Sequence, residues 1–149
     1  MSPAAVKPSG YSGTPLAKKL GFKAPMTVYT VDAPSGYRGW LAGLDPGVDF
    51  SAKAPRPLHA AHVFVTHRVE LARHAAALRK ALEPAGFVWI SWPKKSAKVA
   101  TDVSEDTIRE VALPMGFVDV KVCAVSEVWS GLKLVVRKEL RRGARKVAH

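Results

Sequence analysis

The chain has 149 residues, 48% of them hydrophobic, and a formal net charge of +11. That length suits one domain with a core of its own, and the composition excludes a disordered chain. A lone cysteine, Cys123, excludes an internal disulfide or a multi-thiolate metal site, and within its valine run it reads as a small buried hydrophobe.

No stretch reaches the ~18 consecutive apolar residues of a membrane span, and the first ten residues lack a signal-peptide core, so a cytoplasmic protein without membrane contact is expected. The excess charge is uneven. Residues 137–149 carry six basic side chains against one acidic. Such a tail reads as a solubilising terminus, which makes nucleic acid the weaker candidate partner; no zinc-finger spacing, RNA-binding aromatic signature or helix-turn-helix accompanies it. The expected division is a flexible segment at 1–13, a single domain at 14–138 and a basic tail at 139–149.

In chain order, Thr14 can cap a short helix that has Pro15 in its first position and stops at Gly21. Met26 to Val31 is β-branched and aromatic, a strand broken by Ala33-Pro34-Ser35-Gly36. Tyr37 to Leu44 reads as a short helix in which Gly39 and Gly43 each cost about 1 kcal/mol. Val48 to Phe50 is a brief second strand. His62 to Val65 is a nearly continuous apolar run, as a parallel strand covered on both faces requires.

Thr66 is placed to cap a helix running to Leu82, with Glu70 in its first turn and Leu71, Ala75, Leu78 and Leu82 along one stripe. Pro84 and Gly86 end it before the strand Phe87 to Ile90. Ser104 caps a further helix whose buried side holds Ile108, Val111, Ala112 and Met115. Phe117 to Val125 and Leu132 to Lys138, joined by a turn near Ser130-Gly131, read as an antiparallel pair.

From His59 onwards this succession is similar to the second half of a class I methyltransferase domain. The run Leu82-Glu83-Pro84-Ala85-Gly86 resembles that family's Leu-x-Pro-Gly-Gly approach to its fifth strand. The resemblance implies a Rossmann-like α/β fold: a three-layer sandwich with a mostly parallel sheet ending in an antiparallel hairpin. The first half departs from the pattern. The family places a Gly-rich turn after strand one, so that the backbone can approach adenosylmethionine, and an acidic residue at the end of strand two for the ribose hydroxyls. Here the turn is Asp32-Ala33-Pro34-Ser35-Gly36, Val48-Asp49-Phe50 is followed by Ser51, Ala52 and Lys53, and one strand–helix repeat is absent. No cofactor is expected on that basis. The whole chain also resembles a bacterial family of short proteins known as a domain of unknown function. That likeness rests on residues 10–21 (GYSGTPLAKKLG), on Trp92-Pro93-Lys94-Lys95, and on residues 120–125 (VKVCAV) followed by 129–133 (WSGLK).

Open α/β sheets bind ligands at the carboxyl ends of their strands, where strand order reverses. That edge would gather Asp32 to Tyr37, then Thr66 and His67, then Ser91 to Lys95. Trp92 would offer a stacking surface, and Lys94 and Lys95 ammonium charges for an anionic small molecule. His67 could meet an anion or act as a base, although satisfying the helix end is its commoner role. His59, His62, His67 and His74 do not make a metal set. Ser91 lacks the flanking glycines of a nucleophile elbow, and no Asp–His pair follows from spacing, so no catalytic residue is assigned. Of the tryptophans at 40, 89, 92 and 129, Trp129 is expected to be the exposed one. The functional expectation is a non-catalytic binding or regulatory module; the alternatives are a divergent adenosylmethionine-dependent methyltransferase and a nucleic-acid binder using its tail.

Overall fold

The computed structural model describes residues 14–141; the segment 1–13 and the tail residues 142–149, with the expectations placed on them, lie outside the described residues. Six strands form one sheet: β1 (Met26–Val31), β2 (Val48–Ser51), β3 (Leu58–Phe64), β4 (Leu82–Pro93), β5 (Phe117–Ala124) and β6 (Trp129–Val136). Their spatial order is β2-β1-β3-β4-β6-β5. The β2, β1, β3 and β4 pairings are parallel, and β6 runs antiparallel to both β4 and β5. The expected parallel sheet with a closing antiparallel hairpin is therefore found. The chain moves outward from β1 to β2, then returns to the other side of β1 for β3. That reversal makes the carboxyl ends of β1 and β3 the switch point of the sheet.

Alternation along the central strands sends side chains to two faces. On one, Ala61, Val63, Val65, Val88, Ile90 and Trp92 meet Leu71, Ala75 and Leu78 of α3 (Arg68–Ala81) and Ile108 and Ala112 of α4 (Glu105–Ala112). This is the covering the helical stripes predict. On the other, among the described residues, Ala60, Phe64, Phe87 and Trp89 meet the short helices α1 (Leu16–Leu20) and α2 (Tyr37–Trp40). Aromatic rings fill much of the space there: Phe22 packs on Phe50 and Phe87, and Tyr37 on Phe50 and Phe64. The Trp89 indole, fully buried, donates to the Leu20 carbonyl at 2.9 Å and so ties α1 to the sheet.

Several boundaries differ from expectation for local reasons. Pro15, not Thr14, occupies the N-cap position of α1, without a side-chain cap, while Gly21 closes the helix in the left-handed region as expected. The helix expected over 37–44 stops after one turn at Trp40, its glycines having left too little propensity to extend it. His67 rather than Thr66 is the N-cap residue of α3, and it makes no capping bond. The first free amide, Arg68 N–H, donates instead to Asp102 Oδ1 at 2.6 Å, from the loop between β4 and α4. α3 passes at Leu82 directly into β4, so Pro84 and Gly86 lie inside the strand, across a register shift against β3. The last turn is at 125–128, where Ser126 Oγ accepts from the amides of Val128 and Trp129; Ser130 and Gly131 are in β6. Ser104 does cap α4, through a reciprocal pair of bonds with Thr107. β2 reaches β3 through 52–57 with no helix, consistent with the missing strand–helix repeat.

Candidate functional site

The switch point is built from the turn after β1. Asp32 takes a positive φ of 56° there, a conformation glycine adopts without strain, and Gly36 takes 89° before α2 begins. This double bend drops Tyr37 onto the sheet with 4% of its surface exposed. Its Oη lies 2.8 Å from His62 Nδ1 on β3, and His62 Nε2 lies 2.8 Å from Ser91 Oγ on β4. The three polar side chains form a continuous buried chain across the turn, β3 and β4. A neutral imidazole has one donor and one acceptor, and hydroxyls at both ends can match either tautomer, so every member is satisfied. Burial holds the His62 imidazole down to about 3, against an ordinary 6.5. Burial also pushes the Tyr37 phenol far above its usual value, with the neighbouring Arg38 charge opposing. The chain is therefore neutral across the physiological range, with His62 and Ser91 fully buried and Tyr37 at its outer end.

Above this chain, at the ends of β1 and β2, lies an open recess of about 360 Å³. Residues 33–38 form its rim, with Thr30 and Phe50 beneath. The Arg38 guanidinium sits over the Phe50 ring, 4.6 Å from its centroid.

The sequence-predicted residues separate. Tyr37 lines the recess, and Ser91 joins it through His62. Asp32 is exposed at the bend and is not part of the lining. His67 is exposed at the start of α3. Trp92 is only 7% exposed and packs in the core under α3 and α4, so the expected stacking surface does not exist. Its position follows from strand alternation: Ser91 and Trp92 must face opposite ways. Lys94 is half-buried, its amide donating to the Val128 carbonyl, and Lys95 is exposed. Trp129 is half-buried, edge-on to Phe64 at 5.1 Å, rather than exposed. Cys123 is half-buried, with burial raising its thiol. Among the described residues no group of three His, Cys, Asp or Glu side chains could hold a metal ion, and no helix is long and apolar enough to cross a membrane.

Sequence reasoning missed His62 as the centre of the buried chain, and Arg38 and Phe50 as parts of the recess. A histidine in an otherwise apolar buried strand was the available signal for the first. Nothing in the spacing pointed to the other two.

A search of solved structures finds a putative type 11 methyltransferase from Sulfolobus solfataricus, 11% identical, with a TM-score of 0.53 over 81% of this chain and 89% of that one. A TehB-like SAM-dependent methyltransferase from Corynebacterium glutamicum is 9% identical, with a TM-score of 0.48 over 82% and 85%. No family model and no curated protein matches the chain, so the likeness to a short bacterial family gains no support.

That fold implies adenosylmethionine at the end of β1, and the residues here do not fit it. The turn carries Pro34, α2 has four residues, and the Tyr37 ring is locked beneath the loop by its bond to His62. β2 ends at Ser51, whose hydroxyl closes onto the Lys53 backbone. Asp49 stands opposite Thr27, well before the end of β1, and alternation turns it away from the face of Phe50. The chain has the Rossmann-like fold of the class I methyltransferases, with the cofactor end of its first two strands built differently.

Proposed function

We propose that this chain is a binding module on a methyltransferase scaffold, holding a small ligand in the recess formed by 33–38, Thr30 and Phe50. The carrying observation is the buried Tyr37–His62–Ser91 chain: it fixes the turn after β1 as a rigid wall rather than a glycine loop open to a nucleotide. Fixed walls suit recognition, since a preordered site loses less conformational freedom on binding. A second reading, a divergent adenosylmethionine-dependent methyltransferase, is favoured by the fold, which the Sulfolobus structure shares. That likeness supports methyltransferase ancestry better than it supports the absence of catalysis.

Calorimetry with adenosylmethionine separates the two readings. The binding-module reading expects no heat at millimolar ligand. Saturable micromolar binding, weakened by substitutions in 32–37, would establish the second reading in its place. Nucleic acid is a weaker reading, resting on the basic end of the chain. It requires binding that weakens steeply with salt and on removal of 137–149.

A further inference from the structure

Among the described residues the recess has one charged side chain in its wall, Arg38. Its guanidinium is held against the Phe50 ring, and among the described residues it makes no ion pair, although Arg68, Arg109 and Arg137 each do. The acidic residue nearest in the turn, Asp32, is not in the lining. A guanidinium stacked on an aromatic ring keeps its N–H edges free for a planar or tetrahedral anion, which it meets through two parallel hydrogen bonds. The remaining wall divides in character. Ala33, Pro34 and Phe50 are apolar, while the hydroxyls of Thr30 and Ser35 add neutral donors. A cation fixed at one side of an apolar recess calls for a ligand with an anionic head and a flat apolar body.

We propose that the recess binds a small organic anion, a carboxylate or a phosphate monoester, with its charged oxygens on Arg38 and its apolar body against Phe50 and Pro34. This rests on the reading of the recess as the binding place, and it moves the anion site away from Lys94 and Lys95. Those lysines follow β4, whereas Arg38 follows β1.

The test is titration of the ¹⁵N-labelled full chain with benzoate, phenyl phosphate and, as the neutral control, benzamide, followed through the backbone amides. Benzoate or phenyl phosphate is expected to shift the amides of Ser35, Gly36, Arg38 and Phe50 saturably. Arg38→Gln should weaken that binding by about tenfold or more, with Arg38→Lys intermediate because it keeps the charge and loses the fork. Lys94→Gln and Lys95→Gln should change it by less than about twofold. Arg38 is exposed, so an unchanged spectrum for the free Arg38→Gln variant certifies its fold. Which of the two anions binds more tightly separates a carboxylate from a phosphate head. Benzamide binding as tightly as the anions, unaffected by Arg38→Gln, would overturn the anion assignment and leave the recess reading standing. Anion binding lost in the lysine variants but kept in Arg38→Gln would also overturn it. No recess shift with any probe at about 10 mM would remove both.

Discussion

The two faces of the sheet are built on different principles. The α3–α4 face is an apolar seam of aliphatic side chains against two helices whose stripes are plain in the sequence. Among the described residues the α1–α2 face is covered by nine helical residues, a cluster of aromatic rings and the polar chain from Tyr37 to Ser91. The second carries the polar chain and the turn that forms the recess. A sheet with one conventional face can keep its fold while the other face is rebuilt, because stability from packing on one side tolerates specialisation on the other.

The largest effect should come from emptying either face. Leu71→Ala, under α3, should lose about 2–5 kcal/mol, and Trp89→Ala about 3–5 kcal/mol. The tryptophan change also leaves the Leu20 carbonyl without its donor. Urea midpoints at unchanged slope would measure both. A Trp89→Ala loss far below that of Leu71→Ala would mean that the α1–α2 face contributes little.

The polar chain comes next. Tyr37→Phe keeps the ring and removes one hydroxyl, leaving a buried His62 nitrogen unpartnered, for a loss of about 1–3 kcal/mol. Ser91→Ala should cost a similar amount at the other nitrogen. Because the two share one imidazole, the double variant should not equal the sum of the singles, and strict additivity would argue against a connected chain.

Acid sensitivity follows with a defined sign. His62 binds a proton in the unfolded chain below about 6.5 but in the folded protein only near 3, so the unfolded state holds more protons between those values. Stability contributed by the neutral imidazole is whole above 6.5 and is lost as pH falls through that window. Between pH 7.5 and 5 the loss should approach about 2 kcal/mol, and a His62→Gln variant should show a shallower slope over the same range. Equal slopes would place the imidazole in water.

The smallest effect sharpens the α3–α4 side. Asp102→Ala should cost about 0.5–2 kcal/mol through loss of the cap on α3, while His67→Ala should cost almost nothing. Thermal unfolding of the two variants would tell them apart.

What was legible in the sequence tracks this division. The stripe Leu71, Ala75 and Leu78 and the cap at Ser104 report period and local chemistry and are found, whereas Leu82, expected as the stripe's last member, begins β4. The strand–helix–strand unit and the antiparallel pair followed from the same signals, and the mostly parallel sheet that joins them from the resemblance to class I methyltransferases. Asp102 capping α3 and His62 linking Tyr37 to Ser91 join residues 25 to 34 positions apart, and no local pattern encodes them. Residues 92 to 95 do not form the one surface expected of them, because the strand continues through Pro93 and buries every other side chain, Trp92 included, against α3 and α4. Tyr37 owes its buried position to the bends at Asp32 and Gly36, which spacing alone does not reveal.

The most direct test of the buried chain is the state of the His62 ring, read from its nitrogen chemical shifts between about pH 7.5 and 5. One protonated and one bare nitrogen are expected throughout, with no titration in that range and the same signals perturbed by Tyr37→Phe and by Ser91→Ala. A ring that titrates near 6.5 to the doubly protonated form would contradict it.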